Sequence, residues 1–77
     1  MDKINPLPAK KVIKALEKIG FQQIRQKGSH LFMRIPDGRT TLITVHPGED
    51  IGEGMIRKII NDAKITREEW LELIETI

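Results

Sequence analysis

The apolar positions of this 77-residue chain change period along its length. Val12, Ile13, Leu16 and Ile19 recur in steps of three and four, with Lys10, Lys11, Lys14 and Lys18 on the other side. That spacing predicts an amphipathic helix with a cationic outer face. Pro8 suits its first turn, where a missing N–H has no partner to lose. Gly20 is placed to stop it. Residues 1–7, with Pro6 and Pro8 holding the backbone out of a helix, read as a loose lead-in. Residues 21–27 read as a short strand, diluted by Gln22, Gln23 and Gln26. Residues 30–35 and 39–46 alternate apolar and polar side chains, the period of half-buried strands.

The two alternating runs are joined by Ile35-Pro36-Asp37-Gly38. Proline, aspartate and glycine in that order suit a type I turn whose glycine takes the left-handed position, giving a three-residue loop with Ile35 facing Arg39. Counting outward puts Leu31, Met33 and Ile35 on one face with Thr41, Ile43 and Val45. The other face carries His30, Phe32 and Arg34 opposite Thr44, Leu42 and Thr40, with His46 just beyond. A slip of one residue would exchange both sets, so the pattern itself specifies the register. Helical spacing returns with Met55, Ile56, Ile59, Ile60 and Ala63 after a glycine-containing connection read as flexible (Gly48, Gly52, Gly54). Thr66 and Glu69 form the sequence signature of a capping box, opening a last helix with Trp70, Leu73, Ile74 and Ile77. The predicted fold is α+β, in the order α-β-β-β-α, with a three-stranded antiparallel sheet covered by helices on one face. Residues 1–77 form one domain, and residues 66–77 are its C-terminal helical extension.

Size and composition narrow the possibilities further. A chain this short supports one core, and without cysteine it has neither disulfides nor a thiolate metal site to reinforce that core. No run of apolar residues approaches the ~18 needed to span a bilayer, and the first ten residues lack the apolar stretch of a signal peptide. The expectation is a cytoplasmic protein, monomeric when free. The net charge of +2 conceals an asymmetry: residues 1–40 hold nine Lys/Arg against three Asp/Glu, whereas residues 41–77 hold four against eight. A basic half of this kind fits a polyanion, although lysine-rich helix faces are also commonly just solvated.

The chemistry-bearing stretch is Arg25-Gln26-Lys27-Gly28-Ser29-His30. It is either a polar turn between strands or a phosphate-handling site. Gly28 allows close approach to the backbone, the Ser29 hydroxyl can bond a phosphate oxygen, and Arg25 and Lys27 supply positive charge. Imidazole, with an ordinary pKa of about 6.5, moves protons near neutral pH, which makes His30 the candidate acid–base residue. The glycines match no nucleotide-binding pattern, and neither histidine has a carboxylate near it in sequence except beyond Pro47-Gly48. No cofactor and no metal are therefore expected. Phe32 and Leu42 fall on the face turned away from the helices. They are a partner-covered surface, a platform for a base, or a local cross-strand pair.

Gly20-Phe21, then Arg25-Gln26-Lys27-Gly28-Ser29-His30, then Val45-His46-Pro47-Gly48, then residues 54–60 together resemble the HicA toxin family, also called YcfA-like. The similarity runs from about Val12 to Ile65. It implies a small mRNA interferase of a type II toxin–antitoxin system, with a fold like a double-stranded-RNA-binding domain and a HicB-type antitoxin as partner. The family's essential histidine corresponds to His30, and its second histidine position to His46. On that basis His30 is expected to carry proton transfer, and Arg25, Lys27, Gly28 and Ser29 to steady the phosphate. Lys10, Lys11, Lys14 and Lys18 would hold the RNA backbone, and His46 would be a second proton-transfer or substrate residue. Phe32, Arg34 and Leu42 are candidates for the antitoxin interface. A non-catalytic RNA- or DNA-binding module is the alternative. Family members often carry a lysine after the His-Pro-Gly block. Glu49-Asp50 stands there instead, which argues against a phosphate contact from that loop and suits the antitoxin interface or a helix's first turn.

Overall fold

In chain order the elements are β1 (Leu7–Pro8), α1 (Ala9–Lys18), β2 (Gln22–Lys27), β3 (His30–Arg34), β4 (Thr40–Thr44), β5 (Asp50–Ile51), α2 (Glu53–Ala63) and α3 (Arg67–Glu75). The computed structural model describes residues 3–77. β2, β3 and β4 form a three-stranded antiparallel sheet in that order, and β1 pairs with β5 in a second, two-stranded sheet.

The central hairpin has the register that its pattern specifies. His30 lies opposite Thr44, Phe32 opposite Leu42 and Arg34 opposite Thr40. The Gly38 N–H donates to the Ile35 carbonyl at 2.9 Å and the Ile35 N–H to the Arg39 carbonyl at 3.0 Å, with Gly38 at φ 102°. Only a residue without Cβ adopts that angle freely, so glycine is what lets the loop close in three residues. Leu31, Met33, Ile35, Thr41 and Ile43 are buried, whereas His30, Arg34 and Leu42 are exposed.

The helices cover the buried face. α2 packs on β4, and α1 packs on α3, β1 and β5. Their apolar stripes join the sheet in one core around Val12, Leu16, Phe21, Met33, Ile43, Ile56, Ile59 and Trp70. Trp70 is only 1% exposed, so α3 completes the core rather than trailing from it. Thr41 is the buried polar side chain on this face. Its hydroxyl donates to Asp62 Oδ2 at 3.0 Å, and Lys58 Nζ meets the same oxygen at 2.9 Å. A hydroxyl left unpaired there would cost about 1–3 kcal/mol.

The helix ends follow local rules. At the end of α1 the Phe21 N–H reaches the Leu16 carbonyl and the Gly20 N–H the Glu17 carbonyl, both at 3.0 Å, with Gly20 at φ 110°. This Schellman arrangement turns the chain directly into Phe21, which is buried. α2 ends similarly at Lys64, a non-glycine residue at φ 57°. The capping box of α3 is present in both halves: the Glu69 N–H donates to Thr66 Oγ1 and the Thr66 N–H to Glu69 Oε1.

Two segments differ from expectation. Residues 3–7 of the supposed loose lead-in are anchored, with Ile4 buried and Leu7 paired to Ile51; Met1 and Asp2 lie outside the described residues. The connection at residues 47–52 is correspondingly fixed by β5, and Ile51 is buried. A two-residue strand is too short to show a period, so neither half of this pairing is visible as a strand until the other is placed beside it.

Gly20→Ala tests the α1 turn. A Cβ built there meets Ile35 Cδ1 at 3.0 Å on a backbone that side chains rarely adopt. Urea denaturation is expected to show a loss of roughly 1–2 kcal/mol. Unchanged stability would mean that the turn can relax without strain.

Candidate functional site

β2 brings the cations to His30 through an irregularity in its pairing. Phe21, Gln23, Arg25 and Lys27 are separated by even steps, so an unbroken strand would put all four on one face. The register shifts between Gln23 and Arg25, leaving Ile24 as an extra residue in a β-bulge. On one side of the bulge Phe21 is buried in the core. On the other, Arg25 lies opposite Phe32 and Lys27 opposite His30, so both cations share the open face. The expected strand over residues 21–27 thus forms as β2 with its two ends in opposite phase.

The open face carries three cross-strand rows. They are Lys27-His30-Thr44, Arg25-Phe32-Leu42 and Gln22-Arg34-Thr40. Three cations and no carboxylate occupy these nine positions. None of Arg25, Lys27, His30 or Arg34 has a side-chain hydrogen bond or ion pair with another described residue. Arg25, Lys27, His30, Phe32 and Leu42 line one shallow depression of about 380 Å³. Gly28, at φ 59°, forms the tight turn into β3 with open space where a Cβ would stand. Beside it the Ser29 carbonyl accepts the Val45 N–H at 2.6 Å, tying this turn to the segment after β4.

The remaining site residues lie elsewhere. β4 ends at Thr44, and His46 lines a second depression with Pro8, Ala9, Lys10 and residues 47–50. The two histidines thus line different depressions. Glu49 and Asp50 border the His46 depression; they do not begin a helix, since α2 starts at Glu53. Lys10, Lys11 and Lys14 line a third depression with Pro8 and Ile77. Lys18 is separated from them, its ammonium donating to Thr76 Oγ1 at 2.7 Å beside the α1–α3 groove.

Arg39, read from sequence only as the start of a strand, organises the far end of the hairpin. Its Nε meets both carboxylate oxygens of Asp37 at 2.9 and 3.1 Å, and its guanidinium lies 5.9 Å from the Phe21 ring centre and donates to the Ala63 carbonyl. The Arg39 backbone N–H, followed by its side chain, holds the Asp37 carboxyl below the ordinary value of 3.8. The Asp-Gly-Arg spacing hints at the Asp37 pair, but nothing local indicates Phe21 or Ala63. On α2, Arg57 and Lys58 are likewise engaged, by Glu53 and Asp62. Pairing thus withdraws these cations, while those of the open face and of α1's first turns stay available.

Among the described residues no three His, Asp or Glu side chains gather closely enough to hold a metal ion, and no helix is long and apolar enough to cross a membrane. A family model described as the HicA toxin of bacterial toxin–antitoxin systems matches residues 9–65. The match covers α1 through α2 and includes every residue lining the His30 depression. No curated protein matches the chain significantly.

Deleting Ile24 tests the bulge. Removing the extra residue leaves the phase of Phe21 and that of Arg25 and Lys27 unchanged, so the shortened chain is expected to melt cooperatively with native-like circular dichroism. Loss of the cooperative transition would show that the bulge is needed for more than phase.

Proposed function

The chain belongs to the HicA toxin family of bacterial toxin–antitoxin systems, and from that premise we propose that it is an endoribonuclease acting on mRNA through His30. The observation that carries this reading is the depression in which His30 stands with Arg25 and Lys27 on a face without carboxylates. RNA brings its own nucleophile, the 2′-hydroxyl. The enzyme has to remove that proton, steady the charge of the five-coordinate phosphorus and allow the 5′-oxygen to leave. His30 takes the proton from the 2′-OH, the 2′-oxygen bonds to phosphorus, and the P–O5′ bond breaks. The leaving oxygen acquires its proton from solvent, yielding a 2′,3′-cyclic phosphate and a 5′-hydroxyl. No metal is needed for these steps.

Arg25 and Lys27 hold the phosphate oxygens, and the turn at Gly28 and Ser29 lets the strand approach the backbone. His46 and Lys10 contact the substrate away from the reacting phosphate, consistent with their shared depression. Lys11 and Lys14 extend that contact along α1; Lys18 contributes less because Thr76 engages it. A HicB-type antitoxin neutralises the toxin in the cytoplasm by covering Phe32, Arg34 and Leu42, and with them His30. One observation favours a second reading, a nucleic-acid-binding module without catalysis: His30 has no hydrogen-bond partner among the described residues to fix its tautomer, as a general base usually has.

Two experiments test this reading. Antitoxin-free protein is expected to cleave single-stranded RNA in the presence of a chelator, His30→Ala to slow cleavage by roughly 10²–10⁴-fold, and 2′-O-methyl substitution to abolish it. Intact RNA, or equal cleavage by the variant, would leave only the binding module. In the second, Lys10→Ala and Lys14→Ala are each expected to reduce the slope of log affinity against log salt by about 0.7 for a single strand. An unchanged slope would remove α1 from the RNA contact.

A further inference from the structure

The proposed reaction accounts for His30, Arg25 and Lys27 but leaves the aromatic residue of the open face unused. Phe32 follows His30 by two positions on β3, so it faces the same way about 7 Å along the strand. It lines the same depression, half-buried, with Leu42 beside it and Arg25 directly across the pairing. A cross-strand apolar pair accounts for the contact with Leu42. It does not account for the placement of an aromatic ring between unpaired cations on a face free of carboxylates.

We propose that Phe32 is a stacking platform for the base of a nucleotide next to the one whose phosphate His30 attacks, so that the site takes an unpaired RNA strand. The inference rests on the ribonuclease reading and specifies how its substrate is held. Charge complementarity selects the occupant: the cations beside the ring match a phosphate backbone, and an aromatic face is apolar surface that any base can cover. In a duplex the base faces are already stacked and only edges are presented, so a ring on an open sheet has nothing to pair with. Arg25 and Lys27 then hold the reacting phosphate beside His30, and the stacked base lies over Phe32 in the same cross-strand row as Arg25. Phe32 touches substrate without moving a proton and acts as a specificity residue for strandedness.

The test uses a short oligouridine strand carrying one fluorescent base, 2-aminopurine, at its centre, 2′-O-methylated throughout so that it cannot be cleaved. The wild-type protein and Phe32→Tyr are expected to quench the fluorescence on binding. Phe32→Leu keeps apolar cover over the sheet, and is expected to lose the quenching and to bind roughly 5- to 150-fold more weakly, the range for one stacked base. The same strand in duplex form is expected to bind more weakly and to be indifferent to the change at Phe32. Thermal melts of the three proteins establish that each is folded. Equal binding and quenching by Phe32→Leu, no binding of the single strand by the wild type, or preference for the duplex would overturn the proposal. So would an effect of Phe32→Leu confined to antitoxin capture, which would mark the ring as a protein-docking residue. If the wild type quenches the probe but leaves natural RNA intact, the nuclease reading fails and the stacking platform stands. If it cleaves RNA and Phe32→Leu cleaves equally well, only the platform fails.

Discussion

The three-residue turn at Pro36-Asp37-Gly38 is the constraint on which the sheet depends. Strand side chains alternate strictly, so the loop length decides which half of the hairpin is buried. With Ile35 bonded to Arg39, Leu31, Met33 and Ile43 are directed at the helices, and His30, Phe32 and Arg34 at solvent. One residue more or fewer would bury the histidine and expose the core. Arg39 reinforces the turn by joining Asp37, the Phe21 ring and the last carbonyl of α2, so the three elements that converge there cannot shift independently.

Much of this could be read from the residues because the governing rules are local. Helical spacing located α1, α2 and α3, Thr66 and Glu69 located the start of α3, and alternation together with turn chemistry fixed the hairpin pair by pair. Features set by contacts between distant segments were hidden. The β1–β5 pairing needs both its strands before either is recognisable. The bulge at Ile24 appears only when Phe21 and Arg25 must satisfy opposite faces of one strand. Lys18 looked equivalent to Lys10 and Lys14 until α3 brought Thr76 to it.

The candidate site shows the same division. The cluster of Arg25, Lys27 and His30 was legible because a tight turn places its members in one cross-strand row and the next. The placement of His46 extended strand alternation past Thr44, where β4 stops. Beyond Thr44 the chain follows the Pro47-Gly48 turn towards the start of α1, and His46 is positioned there with Lys10. The open face and the lysines of α1 thus line different depressions.

The anchoring of the N-terminal segment bears on how the molecule assembles. Leu7 meets Ile51 across a separation of 44 positions, whereas the strands of the main sheet pair through short turns. Closing so long a loop for two paired residues is entropically unrewarding until the core has formed, so this contact belongs late on the folding pathway. On a ribosome, Leu7 and Pro8 are made before their partners and are therefore secured only after β5 has emerged. Until then the His30 hairpin can already be paired while the surface around His46 and Lys10 is unbuilt. The two surfaces mature in sequence, and a nascent chain that stalls between them carries only one.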